Sequence, residues 1–262
     1  MATSRSARVM PLCAVVLVAL CGAPAASAQV NVERLRMGLP RDGDAGSVEA
    51  SFTGRTRSTE GITAGAMAQL QMVRGPRWFF AHASGDYTRW GGNTSINRNF
   101  VHLRYLHRAH PRVAPELFVQ EQTDRVRLLR LREVFGAGPR FVVIGSDDFQ
   151  LSAGSAWMLE HEVIRVEPGA PDDAVTLSQR WSNYVSAVWI EDTKLSFSNV
   201  LYVQPRWDRF SDFRILFDSS VVADLGKVLA TRVGVSVRID SAPPTGVPRL
   251  DTEVKSSLVV KF

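Results

Sequence analysis

From about residue 46 onward the chain alternates apolar and polar residues at a period of two, and no stretch keeps apolar residues at helical spacing. In TRVGVSVRID, Thr231, Val233, Val235, Val237 and Ile239 fall on one face, and Arg232, Gly234, Ser236, Arg238 and Asp240 on the other. Successive side chains of a strand point to opposite faces, so this pattern describes strands with one apolar and one polar side. Residues 213–218 repeat it, with Phe213, Ile215 and Phe217 opposite Arg214, Leu216 and Asp218. So do TKLSFSNVLYVQ, VTLSQRWSNYVSAVW and FQLSAGSAWMLEHE. Upstream the pattern is noisier; residues 128–143 set Leu129, Leu131, Phe135, Phe141 and Val143 against Arg130, Arg132 and Arg140. Further segments centre on Leu117, Leu103, Ala81, Ala68 and Ala50, and a final one covers 251–262. About twelve strands with no helix to cover them predict an all-β sandwich or barrel.

The connections favour a barrel in a membrane. Tight turns (RGPR near Gly75, HPR at 110–112, GSDD at 145–148, EDTK at 191–194, DLGK at 224–227) alternate with mostly roomier ones. The roomy set is RWGGNTSI, RVEPGAPDDA, QPRWDRFSD and SAPPTGVPR. Short turns at one mouth and long loops at the other are expected of an antiparallel transmembrane β-barrel of the bacterial outer membrane. Ten residues at ~3.3 Å, tilted about 40°, reach ~25 Å, the height of its apolar band. Trp181 and Trp189, eight residues apart on one face of one strand, are placed to mark the two interfaces. The last strand carries Val254, Leu258, Val260 and the terminal Phe262 on one face, a pattern that looks like the signal read by the barrel assembly machinery.

The start of the chain agrees with export. Arg5 and Arg8 precede an apolar run from Pro11 to Cys21, and Ala26-Ser27-Ala28 supplies the small residues of a cleavage site. The run is short for a membrane anchor, and Leu20 stands where a lipoprotein signal wants a small residue before Cys21. The expected organisation is a signal peptide at 1–28, an N-terminal periplasmic segment at 29–45 and the barrel at 46–262. Both cysteines, Cys13 and Cys21, fall within the signal, which argues against a disulfide scaffold or a zinc protein. The formal net charge of +5 comes from arginines scattered singly, not from the clustered patch of a nucleic-acid binder.

The segment IDSAPPTGVPRLDTEVKSSLVVKF, with Asp240, Ser241, Pro243, Gly246, Asp251, Thr252 and Phe262, resembles the closing hairpin of the salt-induced outer membrane proteins. LRLREVFGAGPRF, with Arg132, Gly136 and Gly138, resembles that family's mid-barrel stretch. Arg57-Ser58-Thr59-Glu60 stands where many members carry a Gly-Asn pair. The resemblance implies an outer-membrane β-barrel of unknown function and no known catalytic residue.

No motif in the chain carries chemistry. His82, Ser84 and Asp86 share a strand face, but residues two apart on a strand lie ~7 Å apart, too far for a hydrogen-bonded triad. His102, His107, His110 and His161 form no metal-ligand pair at useful spacing. GAG at 136–138 has no helix after it and is read as making room for large inward neighbours, not as a nucleotide loop. Glu167, Asp172 and Asp173 read as a solvated acidic loop. No catalytic residue, cofactor or metal is expected. An arginine facing lipid at the midplane costs ~2–4 kcal/mol, so the charged faces must line the lumen. These charges are Arg130, Arg132, Arg140, Arg180, Arg214 and Arg238 with Glu160, Glu162, Asp218 and Asp240; Glu49, Asp86 and Glu253 can share that face. A narrow pore and a salt-bridged plug are both compatible with twelve strands. The expected function is therefore a non-enzymatic outer-membrane barrel, a narrow pore or an envelope-integrity protein. Its expected partners are outer-membrane lipid, lipopolysaccharide and the assembly machinery. The alternative is a lipid-modifying enzyme, a lipid A deacylase or phospholipase.

Overall fold

The computed structural model describes residues 42–55, 61–90, 93–166, 174–191 and 194–262. The alternating segments form twelve strands. The first six are β1 (Gly43–Arg55), β2 (Gly61–Arg74), β3 (Arg77–Trp90), β4 (Asn93–His107), β5 (Val113–Asp124) and β6 (Leu129–Gly145). The others are β7 (Phe149–Ile164), β8 (Val175–Glu191), β9 (Leu195–Pro205), β10 (Phe213–Asp224), β11 (Leu229–Asp240) and β12 (Leu250–Lys261). Each pairs antiparallel with its sequence neighbour, and β12 returns to β1, closing the barrel. Closure leaves no sheet edge, the condition for a sheet to lie in hydrocarbon, where an unpaired peptide group has no water to satisfy it.

The seam is held at the last residue. The β1–β12 ladder runs from Ser47↔Lys261 to Ala50↔Leu258. Beyond it, the Gly46 and Phe262 peptide groups exchange hydrogen bonds of 2.8 and 2.9 Å. The Phe262 ring lies over Gly46 so closely that a Cβ there would sit 2.2 Å from it. Val254, Leu258, Val260 and Phe262 all lie on the outer, exposed face.

Turns at the mouth that holds Phe262 are short, at 75–76, 108–112, 146–148 and 225–228, and the opposite mouth carries 165–174, 206–212 and 241–249. One roomy loop is tighter than its sequence suggests. Around RWGGNTSI, Arg89↔Thr94 and Trp90↔Asn93 still pair beyond a bulge at Thr88/Arg89, so β3 and β4 are joined by residues 91–92 alone. The segments 1–28 and 29–41 lie outside the described residues, and β1 begins at Gly43, three residues ahead of the expected start at Gly46.

The outer surface is apolar. Leu103, Leu117, Val119, Phe135, Phe141, Val185, Leu201, Phe217 and Val233 are exposed there, while the opposite faces of the described strands are buried or half-buried. A polar inside and an apolar outside invert the arrangement of a soluble barrel and make this an outer-membrane type of barrel. Two tryptophans of β8 lie toward opposite mouths. Trp181 is exposed and stacks on Trp207 of the β9–β10 loop at 5.6 Å, and its indole donates to the Ser155 hydroxyl at 2.6 Å. Trp189, half-buried toward the other mouth, stacks on Phe197 at 5.3 Å.

The depth of the band is open to measurement. Val235→Arg, at the middle of β11, should destabilise the refolded barrel by ~2–4 kcal/mol, whereas Leu177→Arg, near the loop mouth, should cost only about 0–1 kcal/mol. Equal losses in denaturant titrations in lipid vesicles would contradict this placement of the membrane.

Candidate functional site in the barrel interior

Twelve strands enclose more space than a single layer of small side chains can fill. The chain fills it with long charged and aromatic residues that reach across to strands other than their neighbours. Arg214 on β10 joins three carboxylates: Glu160 at 2.5 Å, Glu162 at 3.1 Å and Asp240 at 3.1 Å. Arg132 on β6 meets Glu162 at 2.5 Å and Glu160 at 3.4 Å. Arg180 on β8 bridges Glu160 and Asp212, both at 3.1 Å. Glu160 is thus surrounded by three guanidinium groups while buried in the wall. In the β9–β10 loop above, the Arg206 guanidinium 2.6 Å from Asp208 holds that carboxyl below its usual range.

A second network lies on the other side of the lumen. Arg98 on β4 lies 2.9 Å from both Asp86 on β3 and Glu253 on β12, and Lys255 reaches Asp86 at 2.8 Å. Arg238 lies 3.7 Å from Asp251 and from Glu253, and Arg127, from the β5–β6 turn, reaches Asp251 at 3.3 Å.

The third group spans the lumen itself. Glu116 on β5, 1% exposed, accepts from Arg104 of β4 at 3.4 Å and from the Tyr184 hydroxyl of β8 at 3.1 Å. Arg140 donates to the same hydroxyl at 3.0 Å, and Arg104 reaches the Tyr202 hydroxyl of β9 at 3.5 Å. The Tyr184 and Tyr202 rings lie 5.0 Å apart, and the Arg104 guanidinium sits 5.5 Å from the centre of Phe118. These rings can lie flat because glycine faces them. A Cβ on Gly154 would come within 2.1 Å of the Tyr184 ring, and one on Gly136 equally close to Phe118. Towards the Phe262 mouth, Arg232 pairs with Glu49 at 2.5 Å and Asp218 accepts from the Ser236 hydroxyl.

Arg132, Arg140, Arg180, Arg214, Arg238, Glu160, Asp218 and Asp240 are therefore all buried inside, with Glu162 half-buried among them. Arg130 is a correction: it is exposed on the outer side, and Leu129 is buried in its stead. The cause is local. Leu128 closes the β5–β6 turn with φ at 59°, and the β6–β7 register shifts between Leu129 and Leu131, so the alternation restarts one residue later. His82 packs against Phe100 at 5.7 Å, while Asp86 is taken up by Arg98 and Lys255, so these two do not form part of a triad. The acids Glu167, Asp172 and Asp173 lie outside the described residues. Among the described residues, no three His, Cys, Asp or Glu side chains are grouped to hold a metal ion.

On the Phe262 side lie a recess of about 310 Å³ beside Trp78 and Arg140 and one of about 270 Å³ beside Arg232 and Lys261. On the loop side, a space of only about 40 Å³ lies beside Arg98 and Arg238. On the outer wall, His161 Nδ1 lies 3.0 Å from Glu133 Oε2, an imidazole–carboxylate pair that single-strand patterns did not reveal. Glu133 is the hydrogen-bond partner of His161 among the described residues, and no hydroxyl or thiol is hydrogen-bonded to that ring.

A family model described as "protein of unknown function, DUF481" matches residues 48–262, the whole barrel but for its first few residues. The chain belongs to this family. No curated protein sequence matches it. Among solved structures this DUF481 barrel is similar to the NanC porin, with a TM-score of 0.49 and 7% identity over 83% of this chain and 97% of that one. It is also similar to the KdgM porin (TM-score 0.43, 9% identity, 84% of this chain and 98% of that one). A third is the translocator domain of autotransporter NalP from Neisseria meningitidis (TM-score 0.41, 10% identity, 84% and 86%).

Inward glycines under these rings make a specific demand on this DUF481 chain. Gly154→Val should displace Tyr184 and destabilise the barrel by ~1–3 kcal/mol, the usual effect of overpacking a filled interior. Gly226→Val, in a turn where an added Cβ meets nothing, should leave the unfolding midpoint nearly unchanged. Equal stability of both variants in urea would mean that the ring does not lie where described.

Proposed function

We propose that this chain is a non-enzymatic outer-membrane barrel without an open pore, an envelope-integrity protein whose interior is a salt-bridged plug and whose longer loops face outward. The observation that supports this reading is Glu116, almost fully buried, binding Arg104 from β4 and Tyr184 from β8 across the lumen at once. Side chains buried in this way across the lumen would obstruct an aqueous path, and pairing makes their burial tolerable. Breaking a buried pair by removing one partner typically costs 3–5 kcal/mol, far more than the intact pair contributes.

The chain needs no cofactor in this role. It is exported through the signal at 1–28, and the assembly machinery reads Val254, Leu258, Val260 and Phe262. Kinship with the salt-induced outer membrane proteins, carried by Asp240, Ser241, Pro243, Gly246, Asp251 and Thr252, fits such a role without assigning a trigger. One observation favours a second reading, that of a lipid-modifying enzyme: the His161–Glu133 pair stands on the outer face, where a base acting on outer-leaflet lipid would stand. It lacks a nucleophile, so the pair could act only by activating water.

Two measurements test the main reading. In planar bilayers the folded wild type should give no stepwise current, whereas Arg104→Ala combined with Tyr184→Ala should open a conducting path. Steady conductance from the wild type would overturn the plug and leave the narrow pore. Deleting Phe262 should lower the amount of heat-modifiable barrel while exported, signal-cleaved chain accumulates. Normal yields of folded barrel would remove Phe262 from the assembly signal.

A further inference from the structure

The outer wall is not uniform around the barrel. Across β4 to β8, Val101, Leu103, Val119, Phe135, Leu159 and Leu177 line a groove of about 440 Å³ open to the outside. Its upper rim is a polar row in which Glu121 on β5 pairs with Glu133 on β6, and Glu133 with His161 on β7. Counting about ten residues up β6 from Val143, the height of an apolar band, reaches Glu133, so this row marks the band's edge on the loop side. The groove therefore lies in the outer half of the membrane.

Just above the row stand three exposed arginines: Arg125 in the β5–β6 turn, Arg130 at the bulge of β6 and Arg165 after β7. The backbone brings their positions together. The Arg165 N–H donates to the Leu128 carbonyl at 2.7 Å, and Leu129 and Leu131, either side of Arg130, pair with Ile164 and Val163. No carboxylate among the described residues pairs with any of the three, in contrast with the arginines inside the barrel. Arg130 is the residue that the bulge turns away from the lumen.

We propose that this face is a binding site for an anionic lipid of the outer leaflet, lipopolysaccharide, with its acyl chains in the groove and its phosphates on Arg125, Arg130 and Arg165. Charge complementarity selects the occupant. Planar guanidinium groups bind phosphate oxygens through paired N–H donors, and basic residues near a lipid surface are attracted to anionic headgroups. Glu133 is already engaged by His161, and Glu121 stands beside it, so the phosphates lie above the carboxylate row and not against it. The site rests on the membrane reading of the barrel but is independent of the plug.

Full-length mature barrel refolded into phosphatidylcholine vesicles, with and without lipopolysaccharide, provides the test. A ligand that binds only the folded state raises its unfolding temperature. Lipopolysaccharide should raise that temperature for the wild type, and R125Q/R130Q/R165Q should lose most of the rise, with half-saturation moved to at least about tenfold more lipopolysaccharide. R77Q/R112Q/K227Q, at the opposite mouth, should keep it. Dephosphorylated lipopolysaccharide should be no better than phosphatidylcholine, and free inorganic phosphate should not substitute for the lipid. The site is overturned if the triple variant responds as the wild type does, if removing the phosphates changes nothing, or if inorganic phosphate alone gives the full rise. A chain that inserts into neither vesicle would overturn the membrane reading as well, which separates the two failures.

Discussion

Backbone hydrogen bonding in hydrocarbon governs this molecule. A strand placed in a membrane can satisfy its peptide groups only through neighbours on both sides, so the sheet must return upon itself, and β12 must find β1. Closure fixes the rest. It forces every strand to present one side to lipid and the other to the interior, and it sets an interior too wide for small side chains. The outer side is answered by Val, Leu and aromatic residues. The inner side is answered by arginines and carboxylates whose length lets them meet across the space and whose opposite signs let them be buried.

The interior is consequently a polar core, and it obeys the rules of one. Glu160 is held among three guanidinium groups, and Arg98 lies between carboxylates from β3 and β12. Aromatic rings take the remaining volume where glycine on an adjacent strand allows a close approach, as Gly154 does for Tyr184 and Gly136 for Phe118. The desolvation that ion pairs of this kind suffer offsets much of their attraction, so it is the loss of one partner, more than the presence of both, that weighs on stability.

Much of this architecture is legible in single strands. The face of Arg132, Arg180, Arg214 or Arg238 follows from period two alone, because a slip of one residue would put the charge into lipid. The outward face of β12 through Phe262 is legible for the same reason. What a single strand cannot disclose is what happens between strands. The exchange of Arg130 and Leu129 depends on a turn closed by Leu128 and a register shift against β7, neither of which has a composition signal. The pairing of Arg98 with Glu253 joins residues 155 positions apart, and the role of Glu116 requires β5, β4 and β8 together. The short β3–β4 connection was hidden by glycine and asparagine, residues that mark turns but did not prevent the ladder from running on to Trp90↔Asn93.

The last strand does more than complete the ladder. Asp251, Glu253 and Lys255 face Arg127, Arg238, Arg98 and Asp86, so three of the seven members of the second network come from β12. Without that strand Arg98 would keep Asp86 but lose Glu253, and Arg127 and Arg238 would lose Asp251. The seam and this ion network are thus joined: a β12 out of register with β1 and β11 would forfeit ion partners along with backbone hydrogen bonds.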